Sequence, residues 1–300
     1  MTTWVQWLSD HSLAVTVALA VFALVCEAVY LFFLIAGNRV TRQTSTRQWT
    51  FTWITNAALL ACTMALSWLL GPWVSPWFSH ALSGQSGLSA WLGLGSVASI
   101  AHIVLGVLLL DLVAYALHRA MHVVPLFWRM HQVHHSDTAM NASTHFRQHP
   151  LQLIATTAMQ FPLLWLLGIP GISWVLYAVL ATVVELWHHS AIRLSSGLDR
   201  WLGLLVVTPN FHRTHHNQER KFHDANYSAV FPIWDRLFGT AASSSLNAPI
   251  GLRRWTANEA GATIAINACL LMPFQPLTTS LAADKPEARQ KIRANHRGKT

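Results

Sequence analysis

Between Arg47 and Asp111 the chain contains no lysine, arginine, aspartate or glutamate. A soluble domain spreads roughly a quarter of its residues as charges along its length. Here 11% of the 300 residues are charged, 53% are hydrophobic and the mean hydropathy is +0.35. An uncharged run of that length fits lipid as the solvent, and burial in a soluble core does not account for it.

Three stretches, 13–36, 49–70 and 91–117, meet the roughly 20 apolar residues that a helix needs to span the hydrocarbon. A further apolar region, 151–187, is broken by GIPGIS at 168–173, which predicts a tight turn between two helices. The first of those two is short for a full crossing. Lipid offers no partner to free backbone groups, so spanning segments are expected as helices. The stretch 13–36 lacks a basic leading segment and is too long for the apolar part of a signal peptide, so it reads as a helix. The expected fold is an all-α integral membrane protein, a bundle of about four to five transmembrane helices with a cytoplasmic helical cap holding a histidine-rich site for two metals. Three parts are expected: N-terminal transmembrane helices over 1–104, a segment over 105–240 that the resemblance given below implies is the catalytic domain, and a C-terminal interfacial helix with a basic tail over 241–300.

Sidedness follows from the basic residues. The loop after the first stretch holds Arg39, Arg42 and Arg47, while the loops near 71–90 and 168–173 hold none. Basic loops stay inside, so the N-terminus is expected outside, with the histidine-rich segments and the C-terminus cytoplasmic. The net charge of +8, concentrated in those loops and in the tail KPEARQKIRANHRGKT, suits anionic headgroups. Nucleic acid is not an expected partner. Cys26, Cys62 and Cys269 lie in apolar surroundings without paired spacing, and read as small core residues.

Of the 17 histidines, seven fall within 118–149 and six within 188–223. On a helix, residues at i, i+3 and i+4 share a face. HRAMH thus aligns His118 with His122, HQVHH aligns His131, His134 and His135, and HRTHH aligns His212, His215 and His216. The isolated His11, His80, His102 and His296 read as surface or core residues. Packed protonated imidazoles would repel one another, so three such clusters point to metal. Imidazole suits zinc, copper, iron and nickel, and eight or more nitrogen ligands exceed the four of a structural zinc site, implying two ions. Asp111, seven residues before His118 on nearly the same face, is placed to accept the second N–H of a metal-bound imidazole. Two classes of function follow. One is an oxygenase with two irons acting on lipid C–H bonds; the other is a non-oxidative, histidine-rich membrane metalloprotein, either a zinc hydrolase or a metal carrier. Carboxylates are sparse near the clusters, which disfavours the hydrolase. A carrier would string its ligands through the membrane, where Glu27 is the main polar residue of the first span, facing another helix or a substrate portal.

The order HRAMH, HQVHH, HRTHH, with DLVAYALHRAMH, FWRMHQVHHS and TPNFHRTHHNQERKFHDANYSAVFPIWDRLFGT around it, resembles the fatty acid hydroxylase / sterol desaturase superfamily. The likeness covers about 105–240 and is greatest to its alkylglycerol monooxygenase-like and bacterial sterol desaturase-like branch. It implies nine or ten nitrogen ligands around two metals, usually iron, with zinc an alternative in purified protein. O2 would be co-substrate, a membrane lipid the substrate, and an electron-donor protein or reduced pterin the source of electrons. The eight clustered histidines match the family's motifs, and His189 matches a single histidine it places after the second hairpin; His188, its neighbour, packs or faces elsewhere. Some relatives carry a histidine four residues before His189, where this chain has Glu185. Glu185 and His149 (in RQHPLQ) therefore compete for a tenth position. Asn226, in DANY, matches a family position and either reaches the site or serves a turn. Trp234, Asp235 and Arg236 are expected to hold the cap to the helices, and AINACLLMPFQPL to form an interfacial or docking helix.

Overall fold

A computed structural model describes residues 46–81, 87–91, 100–252 and 265–275. The apolar stretch 13–36 with Glu27, Arg39 and Arg42, and the basic tail lie outside the described residues. Among the described residues the chain is helical, with one isolated bridge between Asn217 and Ile250.

Among the described residues four helices are long and apolar enough to cross a membrane. They are α1 (Thr46–Ala81), α3 (Ile100–Val123), α5 (Pro150–Leu167) and α6 (Gly171–His189), with the short α2 (Gly87–Trp91) between the first two. Helix α1 runs past the expected end at 70 and carries Pro72 and Pro76 inside it. Large apolar side chains face outward along these helices, with Trp68 83% and Ile100 82% exposed. Residues this apolar favour hydrocarbon contact over water. α1 packs on α5, and α3 on α6. Two glycines make this possible. Gly168 ends α5 in the left-handed conformation at φ 63°, the expected turn, and Pro170 with Gly171 starts α6. A Cβ at Gly106 would meet Ser173 Oγ at 2.5 Å, so α3 and α6 touch only because that side chain is absent.

At one end of these helices the short elements gather. α4 (Pro125–His135) follows α3 after a turn at Val124, and Pro125 fits the first helical position, where no N–H is needed. A 3₁₀ turn (Ala142–Phe146) capped by Asn141 leads to α5. Beyond α6 come α7 (Ser196–Leu202), α8 (Pro209–His215), α9 (Arg220–His223) and α10 (Ile233–Leu237). The predicted C-terminal helix is shorter than expected: α11 (Ile266–Leu271) with a 3₁₀ turn (Met272–Phe274), docked through Cys269 and Met272 on Val133 of α4 and Leu59 of α1.

Two buried charges tie these pieces together. The Arg147 guanidinium, fully buried, donates to Val133 O and Ser136 Oγ at the end of α4, to Asn56 Oδ1 of α1 and to Cys269 Sγ of α11. Asp111 does not meet an imidazole. Its carboxylate accepts from Tyr177 Oη (3.0 Å), Val230 N (3.1 Å), Phe231 N (3.0 Å) and Trp234 Nε1 (2.8 Å). A membrane-depth carboxylate is costly without donors, and these four come from α6, from the loop leading into α10 and from Trp234 of α10 itself. Asp235 then accepts from Tyr227 N and Ser228 N, which shapes the same loop. Arg236 donates to Gly203 O and Leu204 O. Trp234, Asp235 and Arg236 thus fasten the short elements to each other and to α3.

Candidate metal centre

Nine imidazoles converge in two groups, five in one (His118, His122, His131, His135, His215) and four in the other (His134, His189, His212, His216). Within each group the ligand-capable nitrogens all lie within 4.8 Å of one another. The helical spacing delivers this. His118 and His122 occupy the last turns of α3, the HQVHH histidines the last turns of α4, and His212 and His215 the last turn of α8, with His216 as its C-cap. His189 closes α6. HQVHH and HRTHH are each split between groups, because successive helical positions point to different sides: His134 parts from His131 and His135, and His215 from His212 and His216, while His118 and His122 stay together.

The outer ring nitrogens show how the imidazoles are aimed. His118 Nδ1–H donates to Tyr227 O (2.8 Å), His131 Nδ1–H to Gln152 Oε1 (3.2 Å) and His215 Nδ1–H to Ala225 O (2.6 Å). His122 Nδ1–H reaches Asp224 Oδ1 at 3.4 Å, and His189 Nδ1–H donates to Glu185 O (2.7 Å). Each outer bond fixes a tautomer and leaves Nε2 as a lone-pair acceptor. His118 and His131 then bring two bare Nε2 atoms to 3.1 Å. In the second group Nε2 of His189 lies 3.1 Å from that of His134 and 3.0 Å from that of His212, which is 3.2 Å from that of His216. Imidazole nitrogens bound about 2.1 Å from one ion stand roughly 3.0–3.4 Å apart. The spacing is that of neighbouring ligands of a shared cation, and between His118 and His131, whose Nδ1 atoms both carry the proton, lone pairs facing at this distance repel without one. The residues fit a metal in each group.

Burial keeps these rings neutral, as ligation requires. His134, His135, His212 and His216 have their protonation pushed well below the ordinary histidine range, first by desolvation and then by neighbouring imidazoles. For His131 and His215 desolvation again dominates, with Gln152 and Ala225 O pulling the other way.

The remaining candidates fall elsewhere. His149 belongs to neither group: its Nδ1 accepts from Leu151 N as the cap of α5, and its Nε2–H donates to Leu270 O. Glu185 also belongs to neither, and its Oε2 sits 2.9 Å from His145 Nδ1. Asn226, at φ 57°, is buried and bonds Phe211 O and the Ala242 backbone through both ends of its amide, which is the turn role. Imidazoles of both groups, His118, His131, His134, His189 and His212, line a cavity of about 230 Å³. Glu185, Gln152, His188 and Ser228 line it as well. Sequence reasoning had set His188 aside and did not single out Gln152 or Ser228. For Gln152 the signal was there, a polar residue in an apolar helix.

Residues 103–240 match the fatty acid hydroxylase family. The chain is 32% identical over 181 residues to human alkylglycerol monooxygenase, covering 60% of this chain and 34% of that protein. It is 29% identical over 160 residues to a fatty acid hydroxylase of Lecanicillium sp, covering 49% of this chain and 43% of that one. An ornithine lipid hydroxylase of Rhizobium tropici matches at 30% over 139 residues, 46% of this chain and 41% of that one. The match thus spans about a third to less than half of these relatives' lengths. No solved structure matches the chain. All nine converging imidazoles fall inside 103–240, the segment that matches the fatty acid hydroxylase family.

Proposed function

We propose that the protein is a membrane-embedded, non-haem oxygenase with two irons that hydroxylates or desaturates a lipid. The observation that carries this reading is one cavity walled by imidazoles of both groups at the end of membrane-length helices. The alkylglycerol monooxygenase, fatty acid hydroxylase and ornithine lipid hydroxylase names of the relatives support a lipid substrate and an oxidative reaction. When bound, a pair of irons would supply the activation of O2 that an unactivated C–H bond requires.

The chain's own residues do the rest. The nine imidazoles would hold the ions, five at one and four at the other. Tyr227 O, Gln152, Ala225 O and Glu185 O orient the rings, and outer partners of this kind tune affinity roughly 10–100-fold. The imidazoles in the wall are buried, which limits their contact with water and would protect a reactive oxidant from side reactions. For a hydroxylation, one oxygen atom enters the C–H bond and the other leaves as water, using two electrons and two protons. A protein donor or reduced pterin is the proposed source of electrons. The Glu185 carboxylate beside His145 sits at the cavity without being needed as a tenth ligand. The proposed sidedness puts this end in the cytoplasm, where Arg193, Arg200, Arg220 and Lys221 would meet anionic headgroups.

A non-oxidative reading lacks such support. A carrier needs ligands along a path, and here the imidazoles share one end. Metal analysis of purified, lipid-active protein tests the proposal. Two irons per chain and strict O2 dependence are expected. Activity retained without O2, or with iron absent, would sink it.

A further inference from the structure

Arg193, in the loop after α6, and Arg213, on α8, grip consecutive residues of one loop. Arg213 Nε–H donates to Leu246 O (3.3 Å) and an Arg193 Nη1–H to Asn247 Oδ1 (2.8 Å). The segment carrying Arg193 is also fastened to α8 itself, one turn ahead of Arg213. There the Asn210 amide donates to Leu194 O (2.9 Å) and accepts from Leu194 N (3.2 Å). The fold thus brings two guanidiniums to one place and anchors both of their supports.

Two cations gathered in this way repel, and a half-buried one is costly without a counter-charge. Arg213 registers both effects, since burial first and Arg193 second draw its pKa down to about 10. No carboxylate among the described residues relieves them. Asp199 accepts from Thr208 Oγ1, and Glu219 and Asp224 pair with Lys221 and Arg220. The others are taken by backbone, hydroxyl, indole or imidazole groups. Each guanidinium carries five N–H donors, and among the described residues each uses one. On Arg213 the bonded donor is Nε–H, so both of its Nη groups are open.

Unused donors on two adjoining forks call for an anion with several oxygens. Arginine's planar fork matches phosphate in bidentate fashion, and charge-assisted bonds of this kind are among the strongest available. Neither arginine lines the cavity walled by imidazoles, so the place is separate from the metal centre. It lies where the short elements gather at the end of the membrane-length helices, the level at which a spanning bundle meets headgroups.

We propose that Arg193 and Arg213 form a phosphate-binding site at the headgroup end of the bundle. The inference does not depend on the oxygenase reading, and no chemistry at the metals is needed to test it.

Full-length protein in detergent is offered dioleoyl phosphatidylglycerol or dioleoylglycerol, which share their chains and differ in the phosphate. Bound lipid is counted by native mass spectrometry. The phosphatidylglycerol is retained in preference. Arg193→Gln and Arg213→Gln each weaken that retention roughly 10–100-fold, the scale of lost charge-assisted hydrogen bonds. Arg200→Gln, an exposed arginine outside the pair, leaves it unchanged. Arg193→Gln breaks one exposed bond and keeps the test open if Arg213→Gln fails to fold. A second arm adds inorganic phosphate without lipid and reads the thermal midpoint. A rise in the parent protein that Arg193→Gln abolishes upholds the site with free phosphate as its ligand; preference for phosphatidylglycerol without that rise upholds it with a lipid headgroup. Equal losses in Arg193→Gln and Arg200→Gln would reduce the attraction to general surface charge and overturn the site. Equal retention of both lipids together with no response to phosphate would overturn it as well.

Discussion

In the five-imidazole group, four outer ring nitrogens donate into the fold: those of His118, His122, His131 and His215. In the four-imidazole group only His189 does, to Glu185 O, while Nδ1 of His134, His212 and His216 has no partner. The side chains are the same and their burial is alike. What differs is who holds them. The first group is braced from outside by backbone carbonyls, Gln152 and Asp224, so its rings are aimed before any ion arrives. In the second, successive Nε2 contacts link His134, His189, His212 and His216, and the centre of the group does most of the aiming. Preorganised ligands lose less freedom on binding. The braced group should therefore bind its metal more tightly, and the other should depend on its metal for order.

The largest break in that comparison comes from His212→Ala. His212 is the middle of the contact chain, touching both His189 and His216. Metal content should fall by close to one equivalent, with product formation down more than a hundredfold, beyond what an outer partner contributes. Loss of both metals together, read by mass-spectrometric metal analysis, would show that the groups are not independently held.

A smaller effect is expected on the braced side. Gln152→Leu removes the acceptor of His131 Nδ1–H and frees the ring to choose its other tautomer. Metal affinity of the five-imidazole group should weaken roughly 10–100-fold, with the other group unchanged. Competition against a graded series of chelators reads the two affinities separately. Equal weakening of both would mean that bracing is not what distinguishes them.

How much of this was legible depends on whether a contact is local. Helical spacing alone placed His118 with His122, because that face is set by the helix, whereas the members of HQVHH and HRTHH, expected on one face, divide between the two groups. GIPGIS marked the α5–α6 turn for the same reason, since glycine and proline act on their own backbone. Asp111 was expected to serve His118 from a shared helical face, yet its partners arrive from Tyr177 and from 230–234, over 60 residues away. His149 was weighed as a ligand, and Leu270 O, 121 residues downstream, engages its Nε2. The division of the histidines into five and four is likewise a product of packing. Side-chain type and spacing announce a site; its braces are set by residues far apart in the chain.

The smallest predicted effect is on the acid stability of metal-stripped protein. A histidine whose protonation is depressed by folding is neutral in the native state and takes up a proton on unfolding. The unfolded chain therefore binds more protons below about 6.5, the ordinary histidine value. Stability is fully present above that pH and is lost as pH falls through it. For His134, His212 and His216, desolvation is joined by neighbouring imidazoles and nothing offsets it. For His131 and His215, Gln152 and Ala225 O work in the opposite direction. The unbraced group should thus contribute more of the acid sensitivity. His216→Gln should flatten the fall of the thermal midpoint below pH 6.5 more than His131→Gln does. The difference should be a few degrees, on a scale of roughly 2–4 °C per kcal/mol for a chain of about this size. Equal slopes for the two variants would mean that burial alone sets the response, and that the outer hydrogen bonds brace the rings without changing their appetite for a proton.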